Sequence, residues 1–158
     1  MIGIDPGLDG AIALLDEHGF PTDIWDMPTA DVKVGGRKKR ELDITQLTWI
    51  LREIASGGNR SAIIEHVHAM PKQGVVSSFN FGKTYGATLG ILAALGIQVT
   101  HVAPPKWKKA MNVRGGKDAS RLRASELFPD SAYWWQLKKH DGRAEAALIG
   151  YYGYQHHQ

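Results

Sequence analysis

The chain has 158 residues, no cysteine, and 19 Lys and Arg against 16 Asp and Glu, which gives a formal net charge of only +3. This length fits one domain over 1–158, and the lack of cysteine excludes disulfides, zinc sites with thiolate ligands and thiol nucleophiles. No apolar run approaches the roughly 20 residues that span a bilayer and no basic leader opens the sequence, so we expect a reducing, cytoplasmic setting without membrane contact.

Hydrophobic spacing and turn residues divide the sequence into strands and helices. Short apolar runs predict strands, and apolar residues three or four apart predict helices. In chain order these are strands over 1–5, 10–15 and 20–27, a helix that follows Asp43 as N-cap and stops at Gly57, a strand over 61–65, a helix over 77–95, a strand over 97–102, and helical segments near 107, over 117–127 and over 141–151. This order indicates an α/β fold whose mixed sheet, an antiparallel meander followed by parallel strands, is flanked by helices.

Twelve of the 19 Lys and Arg lie in two short segments, each around a Gly-Gly pair. We interpret the first, 33–40, as a mobile basic loop, and the second is 106–123. Trp25 and Trp49 flank the first segment and Trp107 lies in the second. Cations combined with aromatic surfaces are typical of grooves that follow a phosphate backbone, although a solvated charged surface is the alternative for either segment alone.

Two acids follow apolar strands at the point where each strand ends. Asp5 comes after Ile2-Gly3-Ile4, and Glu65 comes after Ala62-Ile63-Ile64. Either acid alone could form a turn, and Asp5 before Pro-Gly is a common turn arrangement. Two buried acids in neighbouring strands would repel, however, so a shared divalent cation is the more economical explanation.

Two more acids, Asp141 and Glu145, open the last predicted helix and project from one of its faces because they are four residues apart. Asp141 could simply cap the helix and Glu145 could pair with a surface Lys, but the small apolar neighbours of Glu145 indicate a face that packs on the sheet. Carboxylates without thiolates or a His cluster suit Mg²⁺ or Mn²⁺ rather than Zn²⁺. Two such ions per site, held by Asp5, Glu65, Asp141 and Glu145, would support phosphodiester hydrolysis, so we predict a Mg²⁺-dependent nuclease without a small-molecule cofactor.

These acids lie in motifs that follow one another over most of the chain. The motifs are Gly3-Ile4-Asp5-Pro6-Gly7, Ile64-Glu65, Met70-Pro71-Lys72-Gln73-Gly74, Phe81-Gly82-Lys83 and Asp141-Gly142-Arg143-Ala144-Glu145-Ala146. As an ordered set they resemble the RuvC-type Holliday junction resolvases, particularly the phage-encoded ones. The resemblance implies an RNase H-like fold, a homodimer, a bacterial or phage-infected host cytoplasm, and paired nicks in four-way DNA junctions that leave 5′-phosphate and 3′-hydroxyl ends. By position it makes the same four acids the metal ligands.

The sequence departs from that family at two places. Cellular members usually place the last two ligands three residues apart, and three residues before Glu145 stands Gly142, which has no side chain to ligate; we therefore favour Asp141 over His140 as the fourth ligand. Cellular members also carry a base-stacking aromatic residue three positions after the strand-end Glu, where this chain has His68. Phe79 or Phe81 could replace it, although a Phe near the start of a helix more often belongs to the core.

The predicted function is a structure-selective endonuclease that resolves branched DNA. A related nuclease acting on other nucleic acid, a junction-binding protein without catalysis, and an actin-like phosphotransferase are the alternatives; the last needs a second domain that this length does not provide. A ridge of Gly82, Gly86 and Gly90 either packs on the sheet or forms the dimer interface. The predicted phosphate contacts are Lys33, Arg37, Lys38, Lys39, Arg40, Lys72, Lys83, Lys106, Lys108, Lys109, Lys117, Arg121 and Arg123.

Overall fold

The computed structural model describes residues 1–66, 74–116 and 118–156. Its strands are β1 (Ile2–Asp5), β2 (Ala11–Leu15), β3 (Pro21–Asp26), β4 (Thr29–Val34), β5 (Arg37–Leu42), β6 (Ser61–Glu65) and β7 (Gln98–Val102). Its α-helices are α1 (Ile44–Ser56), α2 (Val75–Ala94), α3 (Pro104–Ala110), α4 (Ala119–Leu127) and α5 (Asp141–His156), and two 3-10 segments, Pro129–Trp135 and Lys138–His140, link α4 to α5.

Five strands form one sheet in the order β3-β2-β1-β6-β7. The pairs β1/β2 and β2/β3 are antiparallel, whereas β1/β6 and β6/β7 are parallel. This arrangement confirms the predicted mixed sheet, with a meander of the first three strands and parallel strands after it. Because β1 lies in the centre and pairs in parallel with β6, the carboxyl ends of these two strands meet at one edge of the sheet.

The sheet is buried on both faces, as three layers require. On one face Ile2, Ile4 and Ile64 pack with buried residues of α1 and α2, including Leu47 and Leu92. On the other face Ala13, Leu15 and Ile63 pack with α5 and with the aromatic residues Trp107, Phe128 and Trp135. Helix α1 begins as predicted, because the Asp43 carboxylate accepts a hydrogen bond of 2.9 Å from the Gln46 backbone N–H.

Helix α5 lies directly on β1 because glycine leaves room for its backbone. A Cβ atom built on Gly3 would stand 2.1 Å from the Ala146 carbonyl oxygen and 2.4 Å from the Gly150 nitrogen. Real Cβ atoms do not approach backbone this closely, so only glycine fits at this position of β1. The close approach fixes the helix that carries Glu145 against the strand that carries Asp5.

The basic segment 33–40 is a β-hairpin, so its prediction as a mobile loop is wrong. Strands β4 and β5 pair in an antiparallel register in which Lys33 lies opposite Lys38. Gly35 and Gly36 form the two-residue turn, with φ of 56° and 78°. Positive φ at both central residues is what a type I′ hairpin turn requires, and Gly-Gly is one of its sequence signals. The run of cations concealed that signal because charged residues are poor strand formers.

Other differences from the predicted elements lie at their ends. Helix α2 begins at Val75 rather than 77, and α5 continues to His156 rather than 151. The side chain of Phe79 is 70% exposed, so it lies outside the core. No helix in the described part of the chain is both long and apolar enough to cross a membrane.

Candidate active site

Asp5 and Glu65 lie side by side at the carboxyl edge of the sheet. The parallel register pairs Ile4 with Ile64, so the next residues, Asp5 and Glu65, end neighbouring strands. The backbone N–H of Gly7 donates a hydrogen bond of 3.3 Å to the Asp5 carboxylate from the turn that follows β1. The two acids predicted to share a site are therefore brought together by the strand pairing.

Glu145 reaches the same place from the first turns of α5. One oxygen of its carboxylate accepts hydrogen bonds from Lys108 Nζ at 3.1 Å and from Ser120 Oγ at 2.9 Å. Lys108 lies on α3 and its ammonium stands 5.1 Å from the centre of the Trp107 ring. The sequence predicted Lys108 as a phosphate contact, and it missed Ser120, which carries no pattern that would mark it.

The negative charges of the three acids repel one another. The pKa of Asp5 is raised from 3.8 to about 7, first by burial and then by the negative charges of Glu145 and Glu65, with Lys108 acting in the opposite direction. Burial also raises the pKa of Glu65, and Glu145 adds to that rise. One lysine therefore compensates this group of carboxylates incompletely, which is the electrostatic condition of a site that accepts further positive charge.

A hydrogen bond from Trp107 orients the Glu65 carboxylate. Its indole N–H donates a hydrogen bond of 2.8 Å to a Glu65 carboxylate oxygen, and the ring is 0% exposed. From the sequence, Trp107 is interpreted as an aromatic surface next to nucleic acid. The burial of the Trp107 ring corrects that interpretation, because a buried ring offers no stacking face. A hydrogen bond of this kind fixes the direction of a carboxylate lone pair.

The sequence predicts Glu65 as a metal ligand, and on that prediction Trp107→Phe should reduce the rate of the reaction at these acids by about 10- to 100-fold, the usual cost of losing a partner that orients such a ligand. The change keeps an aromatic ring in the core and removes only the donor to Glu65. Rates under single-turnover conditions measure the effect. The matched control is Trp135→Phe, since Trp135 is equally buried but donates to Ser125 at 2.9 Å, away from the acids. Equal losses in both variants would contradict the role assigned to the indole.

Asp141 begins α5 but faces a different partner from Glu145. Its carboxylate accepts a hydrogen bond of 2.7 Å from Arg121 Nε, and Arg121 also bonds Asp118 and the Gln136 carbonyl oxygen. His140 lies in the 3-10 turn just before α5, and its Nδ1 is buried without a hydrogen-bond partner among the described residues. Burial lowers the pKa of His140.

The place of Gly142 explains why this chain lacks an acid three residues before Glu145. A Cβ atom on Gly142 would stand 2.3 Å from the Asp9 carbonyl oxygen and 2.7 Å from the Gly10 Cα. The first turn of α5 therefore contacts the backbone of the β1–β2 turn without room for a side chain.

Gly142→Ala should lower the free energy of unfolding by about 2 kcal/mol, because the obstructing atoms belong to the backbone and cannot move aside. Gly142→Asp should destabilise at least as much and should not increase activity. Urea denaturation measures both. Gly116→Ala is the control, since a Cβ atom there meets nothing within 4 Å. A stable, active Gly142→Asp protein would contradict this account.

Comparisons with known proteins agree with this geometry. No protein-family model matches the chain. Over 82 residues it is 34% identical to the chloroplastic Holliday junction resolvase MOC1 of Chlamydomonas reinhardtii, a stretch that takes in 51% of this chain but only 9% of the algal protein. The structure of Thermus thermophilus RuvC matches 99% of this chain and 96% of its own, with a TM-score of 0.55 and 15% identity. The chain has the RuvC fold.

A second RuvC structure, from T. thermophilus in complex with Holliday junction substrate, matches with a TM-score of 0.57 and 14% identity over 98% of this chain and 95% of its own. Since RuvC is RNase H-like, these matches confirm the predicted fold class. The resemblance noted in the motifs therefore extends to the whole arrangement of strands and helices, with Asp5 and Glu65 at the carboxyl ends of adjacent central strands of the RuvC fold.

The described residues among the predicted phosphate contacts lie in four places, one of which is Lys83 on α2. The hairpin carries Lys33, Arg37, Lys38, Lys39 and Arg40, α3 carries Lys106, Lys108 and Lys109, and α4 carries Arg121 and Arg123. Several of them already have acidic partners: Arg40 bonds Asp9, Lys83 of α2 bonds Glu41, and Arg123 bonds Glu126. His68, Lys72 and Lys117 lie outside the described residues.

The four side chains predicted as metal ligands have the chemistry that a hard divalent cation prefers. All four are carboxylates, whose oxygens suit Mg²⁺ or Mn²⁺, whereas structural zinc is held mainly by N and S ligands. Within the described residues, no three acidic or His side chains stand close enough to form a finished ion cage. Lys108 holds Glu145 and Arg121 holds Asp141, so each would have to release its acid to complete the ligand set.

Proposed function

We propose that the chain is a structure-selective endonuclease that resolves Holliday junctions and other branched DNA by metal-dependent hydrolysis. The observation that carries the proposal is the group formed by Asp5, Glu65 and Glu145, in which burial first, and the negative charges of the other two acids second, raise the pKa of Asp5 to about 7. The names of the similar proteins, a Holliday junction resolvase and RuvC in complex with Holliday junction substrate, support the choice of branched DNA.

In this proposal Asp5, Glu65, Asp141 and Glu145 hold two Mg²⁺ or Mn²⁺ ions. When bound there, such ions would supply activation of a water molecule and stabilisation of the 3′ oxygen that leaves as the phosphodiester breaks. Trp107 keeps Glu65 in one orientation, and Ser120 does the same for Glu145. Lys108, once released from Glu145, is placed to bind a phosphate oxygen next to the scissile bond. The products are a 5′-phosphate and a 3′-hydroxyl.

The proposal includes a homodimer, because two symmetric nicks need two sites related by a two-fold axis. The glycine ridge of α2 supports it: Cβ atoms on Gly82, Gly86 and Gly90 would meet nothing within 4 Å. Phe79 extends the same helix with a side chain that is 70% exposed. A smooth, open ridge beside an exposed apolar residue is suited to a second copy of the chain.

Cleavage of labelled substrates tests the function. Four-way junction, three-way junction, linear duplex and RNA–DNA hybrid are incubated with the protein in Mg²⁺ and, in parallel, in EDTA. We expect paired nicks in the four-way junction, slower or no cleavage of linear duplex, and no cleavage in EDTA. Preference for the hybrid would identify a nuclease of other nucleic acid, and junction binding without cleavage in any divalent cation would identify a non-catalytic protein.

A further inference from the structure

The hairpin of β4 and β5 presents two different faces because side chains alternate along its strands. One face, here the α2 face, consists of Ala30, Val32, Lys39 and Glu41. The opposite face, here the α5 face, consists of Thr29, Asp31, Lys33, Lys38 and Arg40. Cations therefore occupy both sides of the hairpin, unlike a ribbon that packs one face on the protein and exposes the other.

Each face borders its own cleft. The α2 face forms a cleft of about 270 Å³ with the first half of α2, lined by Lys39, Arg40, Glu41 and Lys83 and by the Phe81 ring. The α5 face forms another cleft of about 270 Å³ with the turn before α5, lined by Arg40, Lys139 and His140 and also by Asp9 and Asp26. Both clefts reach Leu8, in the turn that follows Asp5. The two clefts therefore meet beside the acids, and each contains cations of the hairpin together with acidic side chains.

The end of the hairpin carries uncompensated positive charge. Lys33 and Lys38 lie directly opposite each other, an arrangement that destabilises a strand pair. Asp31 is 4.0 Å from Lys38, and no described acid forms an ion pair with Lys33. A two-stranded ribbon outside the main sheet is only marginally stable by itself. A polyanion on the α5 face would offset this repulsion.

We propose that the hairpin lies between two separate backbone segments of branched DNA, with its α2 face on one and its α5 face on the other. This inference rests on the proposed function and deepens it. A branch point is where backbones of two arms diverge from one place, so a two-sided basic ribbon beside the acids fits it. Each cleft is bounded by protein opposite the hairpin, by α2 on one side and by the turn before α5 on the other.

Single cysteines map the contacts, because the chain has no cysteine of its own. Ala30→Cys and Asp31→Cys place a thiol on the α2 face and the α5 face at consecutive, exposed positions, and neither replaces a cation. Each thiol carries a photo-crosslinker, and the protein is bound in Ca²⁺ to a four-way junction whose strands are labelled one at a time. Because every strand runs through two arms, the crosslinked nucleotide is mapped along each labelled strand. We expect the two positions to crosslink to strands of different arms. Crosslinks from both to the two strands of one arm would overturn the inference and show that the ribbon enters a groove.

Affinity gives a second, independent measurement. The double variant Lys33→Gln, Lys38→Gln should lose about tenfold or more in affinity for the junction and much less for linear duplex, at one fixed salt concentration. Lys106→Gln with Lys109→Gln, which removes two cations from α3, should weaken both substrates alike. Equal losses of affinity for junction and linear duplex in the hairpin variant would mean that the hairpin contacts phosphates of any DNA. That result would overturn the inference.

Wild-type cleavage separates the two levels of the proposal. If the wild type fails to cut junctions in Mg²⁺, the proposed function is wrong and the hairpin result has no bearing on it. If it cuts junctions while both cysteines mark a single arm, only the inference about the hairpin is wrong.

Discussion

Asp5→Asn should reduce the rate of junction cleavage by at least about 10³-fold, equivalent to about 4 kcal/mol of transition-state stabilisation. Asn has nearly the same shape as Asp and can still accept the Gly7 N–H bond, so the fold is retained. The lost quantity is the negative charge at the carboxyl end of β1, which no neighbouring group can supply. Glu65→Gln and Glu145→Gln should give losses of the same order, because the three carboxylates form one group.

Single-turnover cleavage of a labelled four-way junction measures these rates, with circular dichroism to verify folding. Asp23→Asn is the matched control, since Asp23 lies exposed on β3 away from the acids. Cleavage by Asp5→Asn at the wild-type rate would mean that the site has been assigned to the wrong residues. Retained junction binding in Ca²⁺ would separate a catalytic loss from a loss of affinity.

Without metal, the folded protein should lose stability as pH rises from about 4 to about 7. The folded state keeps the proton of Asp5 up to a pKa of about 7, whereas the unfolded chain releases it near 3.8. Between these values the folded state binds more protons than the unfolded state, so the free energy of unfolding falls with rising pH and then levels off. A shift of this size corresponds to about 4 kcal/mol.

Urea denaturation in EDTA at several pH values measures the effect as the difference between wild type and Asp5→Asn. Groups that are not coupled to Asp5 titrate alike in both proteins and cancel in that difference, including Asp26, whose pKa is lowered by Arg143, and His140. We expect Asp5→Asn to be the more stable protein at pH 8 in EDTA, and Mg²⁺ to stabilise the wild type selectively. A difference that does not change with pH would refute the burial and repulsion assigned to Asp5.

The sequence predicted most of the fold because local patterns and tertiary packing agree in it. Asp43 followed by apolar residues at helical spacing located α1, and the apolar run 61–65 located β6 with both bounds correct. The acids at the strand ends were visible for the same reason: a carboxylate directly after a buried apolar run contradicts the pattern around it.

What the sequence could not provide depends on contacts between distant residues. Trp107 and Glu65 are 42 positions apart, and nothing in either segment predicts their hydrogen bond. Arg121 and Asp141 are 20 positions apart, so the sequence assigned the cation to phosphate and the acid to metal without relating them. The hairpin was missed for a different reason, since its Gly-Gly turn was present but its strands are charged.

The contact of α5 with Gly3 and Gly150 has a consequence for evolution. These two glycines bring backbone to backbone, with the Gly3 Cα 3.3 Å from the position of a Gly150 Cβ. The distance between Asp5 on β1 and Glu145 on α5 is therefore set by contact between main-chain atoms, which every sequence possesses. The identity of side chains elsewhere in the core affects this distance very little. Drift at most positions would leave the spacing intact, while a single added methyl group at Gly3, which would stand 2.1 Å from a backbone oxygen, would not. Random libraries of this chain should therefore tolerate many core substitutions and lose nearly all variants at Gly3.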